Sequence, residues 1–479
     1  MPISCEEKSA LAYSRARKAR DARFDGVFFT AVKTTGIYCR PVCPAKPPLE
    51  RNVEYHTTAV SAAMAGYRPC LRCRPESAPS SPAWQGAKTS LQRAVKLIDA
   101  GALQDGSLED LASRLGISSR YLRDLFKREL GVSPKRYATY QQCMFAKQLL
   151  HTTNLAIAEI AFSSGFNSVR RFNEAMQQHL GLSPSQIRKS ASSLTTGLVF
   201  LLHYRPPFVW SHMLNFLSKR VISGLEWSGD NCYGRTIRHG DGVGYFEVSN
   251  EPDHSRLRLK LVFDRPESYL RLHYRLRHLF DVDADILSID SHLQSELASG
   301  VESEAKASLD YLPGLRIPGI WSTFEAGVRA ILGQQVSVGA AQKLVQTFVD
   351  ELGEDLPSKA SAKLFPRPEA VLKSSLDFFR MPQARKDTLH RFAQHFIDSP
   401  ALAYIDSPKP DDIDKWLELK GIGPWTVNYV KLRGTKDPDV WLAGDAGVKN
   451  AIKKVGSIEN LERFSPWRSY LTFQLWNQL

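Results

Sequence analysis

Apolar residues recur at three- and four-residue intervals in LEDLASRLGISSRYLRDLFKRELGVSPKRY, and the pattern returns about 50 residues later in IAEIAFSSGFNSVRRFNEAMQQHLGLSPSQI. That period puts an apolar stripe on one face of successive helices. Each copy has a tight turn at a glycine, Gly116 or Gly165, then a serine or asparagine suited to capping a second helix, and closes on Gly-x-Ser-Pro. The repeat predicts two helix-turn-helix units whose second helices run from Ser118 to Leu130 and from Asn167 to Leu180. Generic helical hairpins share the periodicity, so a packing role stands beside a DNA-binding one. Further along, GYFEVSN and RLRLKLVF read as strands and PESYLRLHYRLRHLF as a helix, an α+β unit that implies no chemistry by itself.

At roughly 100 to 200 residues per domain, a chain of 479 residues should fold as three or four. Two segments rich in Ser, Pro or Gly, Ser77–Ser90 and Ser190–Gly197, have linker composition. The expected domains are 1–78, 88–190, 198–285 and 286–479. The net charge of +13 is uneven: residues 1–190 hold 28 Lys+Arg against 15 Asp+Glu, and the remainder holds 35 of each. Such a bias suits a surface that meets phosphate, although solvated helix faces also concentrate charge. No apolar run reaches the length of a membrane span, and the first residues lack an apolar signal core, so the expectation is a cytoplasmic protein without a membrane partner.

Seven cysteines, four of them in close pairs, fit a reducing compartment better than a disulfide framework. Cys39 and Cys43 lie in GIYCRPVCP, and Cys70 and Cys73 in RPCLRC, while Cys5, Cys143 and Cys232 read as isolated thiols. Two short-spaced pairs of soft thiolate ligands match the tetrahedral preference of zinc, and a purely structural knuckle would show the same spacing.

The surrounding words narrow these readings. Across 88–190 the repeat resembles the AraC-family DNA-binding domain, which implies groove or phosphate contacts for Arg120, Arg123, Lys127, Arg170 and Arg171. FFTAVKTTGIYCRPVCPAKPP followed by GYRPCLRC resembles the N-terminal domain of the Ada adaptive-response regulators. That resemblance implies zinc on Cys39, Cys43, Cys70 and Cys73, with Cys39 also the irreversible acceptor of a methyl group from a methylated DNA phosphate. A zinc dication on four thiolates carries two net negative charges, and methylating one sulfur removes one, so repulsion from DNA phosphates falls. Repair would thereby become transcriptional activation, with RNA polymerase the implied partner.

In the last part, LPGLRIPGIWSTFEAGVRAILGQQVSVGAAQKL, LELKGIGPWTVNYVKLRG and VWLAGDAGVK together resemble the helix-hairpin-helix DNA glycosylases of the AlkA 3-methyladenine type, over 198–479. The likeness implies Asp445 as catalytic aspartate, Trp425, Tyr429 and Trp476 as base-binding aromatics, Gly421 and Gly423 as the phosphate-facing hairpin, and Gln335 as the wedge that fills the vacated stack. A fixed carboxylate stabilises the positive sugar of N-glycosidic cleavage, and electron-rich rings attract a cationic base once it is flipped out. Tryptophan occupies the place two residues after the second hairpin glycine, where bifunctional relatives carry a lysine nucleophile, so water must attack. The sequence has no Pro-Cys-His-Arg-Val word and no C-terminal four-cysteine set, leaving zinc as the one cofactor implied. The expectation is a monomer with a multidomain, mostly α fold with α+β parts. Its parts are a small zinc domain, two helix-turn-helix units, an α+β domain and an all-α helix-hairpin-helix glycosylase domain. A transcription regulator with an inactive glycosylase half is the alternative.

Overall fold

The computed structural model describes residues 5–21, 24–25, 27–70, 72–73, 75, 89–99, 101–189, 198–300, 309–399, 413–455, 458 and 460–479. The expected linkers at Ser77–Ser90 and Ser190–Gly197 lie outside these, apart from Thr89 and Ser90. The chain divides into two compact units: Met1–Arg205 with Asp253–Arg256 and Arg265–Tyr274, and Pro206–Pro252 with Leu257–Asp264 and Arg275–Leu479.

The first unit opens with helix α1 (Cys5–Ala19) and a four-stranded sheet of order β3-β1-β2-β4, formed by β1 (Phe29–Val32), β2 (Ile37–Cys39), β3 (Val53–His56) and β4 (Arg68–Pro69). β1 is buried along its whole length, as a central strand of Phe-Thr-Ala-Val should be. β2 pairs antiparallel with β1, Thr30 opposite Cys39, and parallel with β4, Tyr38 opposite Pro69. This register brings the end of β2, with Cys39, beside the end of β4, followed at once by Cys70. The short helix α2 (Ala59–Met64) is capped by Thr58.

Among the described residues, eight helices follow: α3 (Thr89–Asp99), α4 (Ala102–Asp105), α5 (Leu108–Leu115), α6 (Ser119–Leu130), α7 (Pro134–Thr152), α8 (Ile157–Ser163), α9 (Val169–Leu180) and α10 (Pro184–Lys189). Ser107 and Asp110 form a reciprocal capping box on α5, and Ser118 caps α6. The turns at Gly116 and Gly165 have φ of +70° and +82°, a conformation that glycine adopts without a Cβ clash. α9 starts two residues later than its sequence suggests, because Ser168 rather than Asn167 supplies the cap. Gly-x-Ser-Pro closes one helix and opens the next: Ser133 caps α7 and Pro134 fills its first turn. Strand β5 (Leu198–His203) also belongs to this unit, where Gln148 of α7 donates to the Leu201 carbonyl at 2.7 Å.

The second unit contains α11 (Trp210–Ser218) and strands β6 (Glu226–Ser228), β7 (Cys232–His239), β8 (Gly242–Glu251) and β9 (Arg256–Phe263), ordered β9-β8-β7-β6. The chain continues through α12 (Tyr269–Leu279), α13 (Ile286–Gly300), α14 (Thr323–Leu332), α15 (Val338–Leu352), α16 (Pro368–Lys373), α17 (Gln383–Asp398), α18 (Pro424–Val430), α19 (Ala446–Val455) and α20 (Arg468–Trp476). Phe324, Phe348, Phe392, Phe396 and Trp416 build its core, and Ile422, Val427 and Val430 anchor α18 and the turn before it there. Glu325 of α14 accepts from Arg235 of β7 at 2.8 Å and from Arg329 at 2.9 Å, and Arg329 reaches Glu226 of β6 at 3.0 Å. All four side chains are largely buried, so removing one partner would strand a charge and cost about 3–5 kcal/mol.

Candidate functional sites: a cysteine cluster and a carboxylate between two indoles

The sulfurs of Cys39, Cys43, Cys70 and Cys73 all lie within 4.8 Å of one another, and all four cysteines are free thiols. Four ligands around one tetrahedral ion at about 2.3 Å occupy such a volume, so the residues present fit zinc. Packed this closely, the thiols share protons unequally: hydrogen bonding with Cys39 lowers Cys43 to about 7, and hydrogen bonding with Cys43 raises Cys39 above the ordinary thiol range. Cys70 and Cys73 are buried, whereas Cys39 and Cys43 are half-buried. Arg40 ties the loop together. Its amide donates to Cys73 Sγ at 3.4 Å, and its guanidinium forms a two-pronged pair with Asp25.

Arg120, Arg123 and Lys127 lie on the exposed face of α6, and Arg170 and Arg171 on that of α9, while Leu122, Leu125, Phe126, Phe172 and Met176 point inward. Arg123 pairs with Glu109 at 3.2 Å and Arg170 with Glu174 at 3.0 Å. Both are exposed surface pairs of small energy, readily exchanged for phosphate.

In the second unit Gly421 turns the chain at φ +96° into α18, and Gly423 caps it with open space at its Cα. A Cβ at Gly421 would lie 2.1 Å from Thr388 Oγ1. Pro424 occupies the first helical position and offers no N–H, so the helix start has one donor fewer than the hairpin word suggests. Before the turn, Ile413 and Asp414 are helical and lead into a 3-10 turn, Lys415–Glu418.

Asp445 precedes α19 and its Oδ1 accepts the Val448 amide at 2.9 Å, as an N-cap does. The same carboxylate accepts the Trp425 indole N–H on Oδ2 at 3.1 Å and the Trp476 indole N–H on Oδ1 at 3.0 Å. Trp425 and Tyr429, one helical turn apart, stack with centroids 5.4 Å apart. Trp476 stacks on Phe216 of α11, 19° from parallel, at 6.3 Å. Two aromatic pairs therefore meet at one carboxylate. Gln335 is exposed on the turn between α14 and α15 at φ +58°, and its neighbour Gln334 donates to the Gly421 carbonyl at 3.0 Å and to Thr426 Oγ1 at 3.1 Å. The structure thus gathers Asp445, Trp425, Tyr429 and Trp476 into one site, with the Gln335 turn tied to the hairpin.

Sequence reasoning does not single out Phe216, Arg220, Arg433 or Gly447. The Arg220 and Arg433 guanidiniums sit 3.7 and 4.7 Å from the Phe216 centroid, and burial, with Arg433 beside it, lowers Arg220 to about 10. Only Arg433 leaves a local signal, being four residues after Tyr429, whose hydroxyl it approaches at 3.4 Å. A Cβ at Gly447 would lie 3.1 Å from both Asp445 Oδ1 and Trp476 Nε1.

Clustered metal-ligand thiols beside paired helix-turn-helix units, in a chain that also carries a carboxylate among aromatics next to a glycine hairpin, define a multidomain zinc protein that acts on DNA. Family models match in the same order: the metal binding domain of Ada at residues 12–76, a helix-turn-helix domain at 111–190 and the AlkA N-terminal domain at 199–322. A relative from Mycobacterium tuberculosis named "Probable bifunctional transcriptional activator/DNA repair enzyme AlkA" is 34% identical over 97% of this chain and 95% of its own length. DNA-3-methyladenine glycosylase 2 of Escherichia coli is 30% identical over 58% of this chain and 96% of its own. The E. coli bifunctional transcriptional activator/DNA repair enzyme Ada is 33% identical over 37% of this chain and 48% of its own. The chain belongs to the family of bifunctional transcriptional activator/DNA repair enzymes that the mycobacterial relative represents.

Proposed function

We propose that this protein senses and repairs DNA alkylation: it takes one methyl group from a methylphosphotriester in double-stranded DNA onto Cys39, activates transcription in that state, and excises bases such as 3-methyladenine as a monofunctional glycosylase. The carrying observation is the presence, in one chain, of a four-thiol cluster, half of it partly exposed, and of a carboxylate held by two indole N–H groups.

Cys39, Cys43, Cys70 and Cys73 would hold a zinc ion, which would keep their sulfurs deprotonated and nucleophilic at neutral pH. Cys39 Sγ attacks the methyl carbon; the S–C bond forms as the C–O bond breaks, and the electron pair leaves on oxygen as a phosphodiester anion. Burial of Cys70 and Cys73 supports transfer at the outward side of the cluster. The thioether has no return path, so each chain is used once. The cluster then carries one negative charge fewer, and Arg120, Arg123, Lys127, Arg170 and Arg171 hold promoter DNA more tightly. RNA polymerase is the partner this reading requires, with the protein acting as a monomer.

In the second unit the flipped base enters among Trp425, Tyr429 and Trp476. The C1′–N bond breaks with its electrons going to the base, and Asp445 stabilises the positive sugar until water adds at C1′ and loses a proton. The indole N–H groups fix both carboxylate oxygens beforehand, so little reorganisation remains for the reaction itself. Gly421 and Gly423 approach the phosphate backbone. Gln335 fills the gap in the stack, and the exposed Val336 beside it supplies the apolar surface that a glutamine lacks.

Incubating the pure protein with methylated DNA, then measuring free bases and the mass of the peptide bearing Cys39, tests both halves together. Free 3-methyladenine over many turnovers and a single added methyl on Cys39 are expected. Methyl on another cysteine or on none would overturn the acceptor assignment, and no base release would favour a regulator with an inactive glycosylase half.

A further inference from the structure

Tyr38 directly precedes Cys39 in β2, and side chains alternate across a strand, so its ring points away from the sulfur. The ring is fully buried, packed edge-on against Phe29 at 6.2 Å. Its hydroxyl lies 2.6 Å from that of Tyr140, a hydrogen bond spanning 102 residues of sequence. Tyr140 is on α7, the helix that joins the two helix-turn-helix units, and its ring meets His179 in the last turn of α9 at 6.3 Å. The backbone of Tyr38 is equally engaged, accepting the Cys70 amide at 2.9 Å.

A second contact runs the same way. α2 and β4 pack against α9, and Arg68, two residues before Cys70, lies 3.9 Å from where a Cβ on Gly181 would stand. Each of the two strands that lead into a ligand cysteine therefore touches the second recognition helix or the helix supporting it.

We propose that the Tyr38–Tyr140 hydrogen bond transmits the methylation state of Cys39 to the second helix-turn-helix, alongside the change in cluster charge. The inference rests on Cys39 being the acceptor. A methyl group on Cys39 enlarges the residue at the end of a three-residue strand whose neighbour is clamped on both backbone and side chain. The added methyl sits at the end of β2, and a shift of that strand is carried by the buried Tyr38 ring and its hydroxyl to Tyr140 of α7, and through Tyr140 to His179 of α9. A charge effect acts through solvent on the whole DNA-facing surface and is screened by salt. The phenol pair acts on one helix and is insensitive to salt.

The test uses full-length protein, wild type and the double variant Tyr38→Phe/Tyr140→Phe, which removes the two hydroxyls together rather than one alone. Each is methylated with oligonucleotide methylphosphotriester, and affinity is measured for a duplex enriched in vitro against the methylated wild-type protein, with hydrogen exchange followed over residues 169–180. The double variant should keep its zinc and take up one methyl, yet lose roughly fivefold or more of the methylation-dependent gain in affinity, the usual lower end of such coupling. The exchange change in α9 should vanish with it. A double variant that retains the full gain and the full exchange change would overturn the link and leave charge as the whole switch. Wild-type protein that takes up no methyl would overturn the acceptor assignment itself, and the link with it.

Discussion

Both oxygens of Asp445 already accept hydrogen bonds: Oδ2 from the Trp425 indole, and Oδ1 from the Trp476 indole and the Val448 amide. Asp445→Asn therefore does more than remove a charge. An amide can turn its oxygen to only one side, and its NH2 then opposes an indole N–H. Base release should fall by about 10²-fold or more, and tryptophan fluorescence should shift although the fold persists; an unchanged release rate would remove Asp445 from the reaction. Trp476→Phe keeps an aromatic ring, though a smaller one, and deletes one donor, so it should lower kcat more than substrate affinity, read from single-turnover rates against affinity. His179 makes a pH prediction. Burial, and Arg136 nearby, hold it below its ordinary range, and Tyr140 packs on its ring. Between the lowered folded value and the unfolded value of about 6.5 the unfolded chain binds more protons, so stability falls as pH drops through that window. Melting of the first unit should decline from pH 7 to 5, and His179→Gln should flatten that decline, with His56, also lowered by burial, supplying the remainder.

At the scale of elements, the hairpin turn is the most exacting piece of backbone. Gly421→Ala would meet both a left-handed φ and Thr388 Oγ1 at 2.1 Å, and should lower stability by about 1–3 kcal/mol. Adding Thr388→Ala should recover the steric part but not the conformational part, so calorimetry of the two single variants and the double should be non-additive. Elements of this kind were readable in advance because their causes are local. Ser118, Ser133 and Gly116 cap or turn the chain by their own chemistry, and the cysteine spacings bring ligands together over a few residues. The phenol pair of Tyr38 and Tyr140, the stacking of Phe216 on Trp476 and the buried Arg235–Glu325–Arg329–Glu226 set were not, since each joins segments far apart in sequence through burial alone. The delayed start of α9 shows the same limit in miniature: Asn167 and Ser168 are both competent caps, and packing selects between them.

For the molecule as a whole, the tryptophan at position 425 predicts intact product strands. Borohydride added during turnover should trap no protein–DNA adduct, and nicks should appear only after alkali; an adduct formed as fast as base release would identify another amine. Lys431 is held by Asp414 at 2.6 Å, which leaves it poorly placed for that role. Among the described residues no helix is long and apolar enough to cross a membrane. The presence of Cys39 and Asp445 on one polypeptide would, with the roles proposed for them, have a quantitative consequence. Under the proposed function the first would count to one and stop, and the second would have no such ceiling. A cell holding a fixed number of chains would therefore reach full transcriptional output once phosphotriesters equal chains, while excision would keep rising with the lesion load. The dose–response curves of induction and of repair would separate at a damage level set by copy number alone.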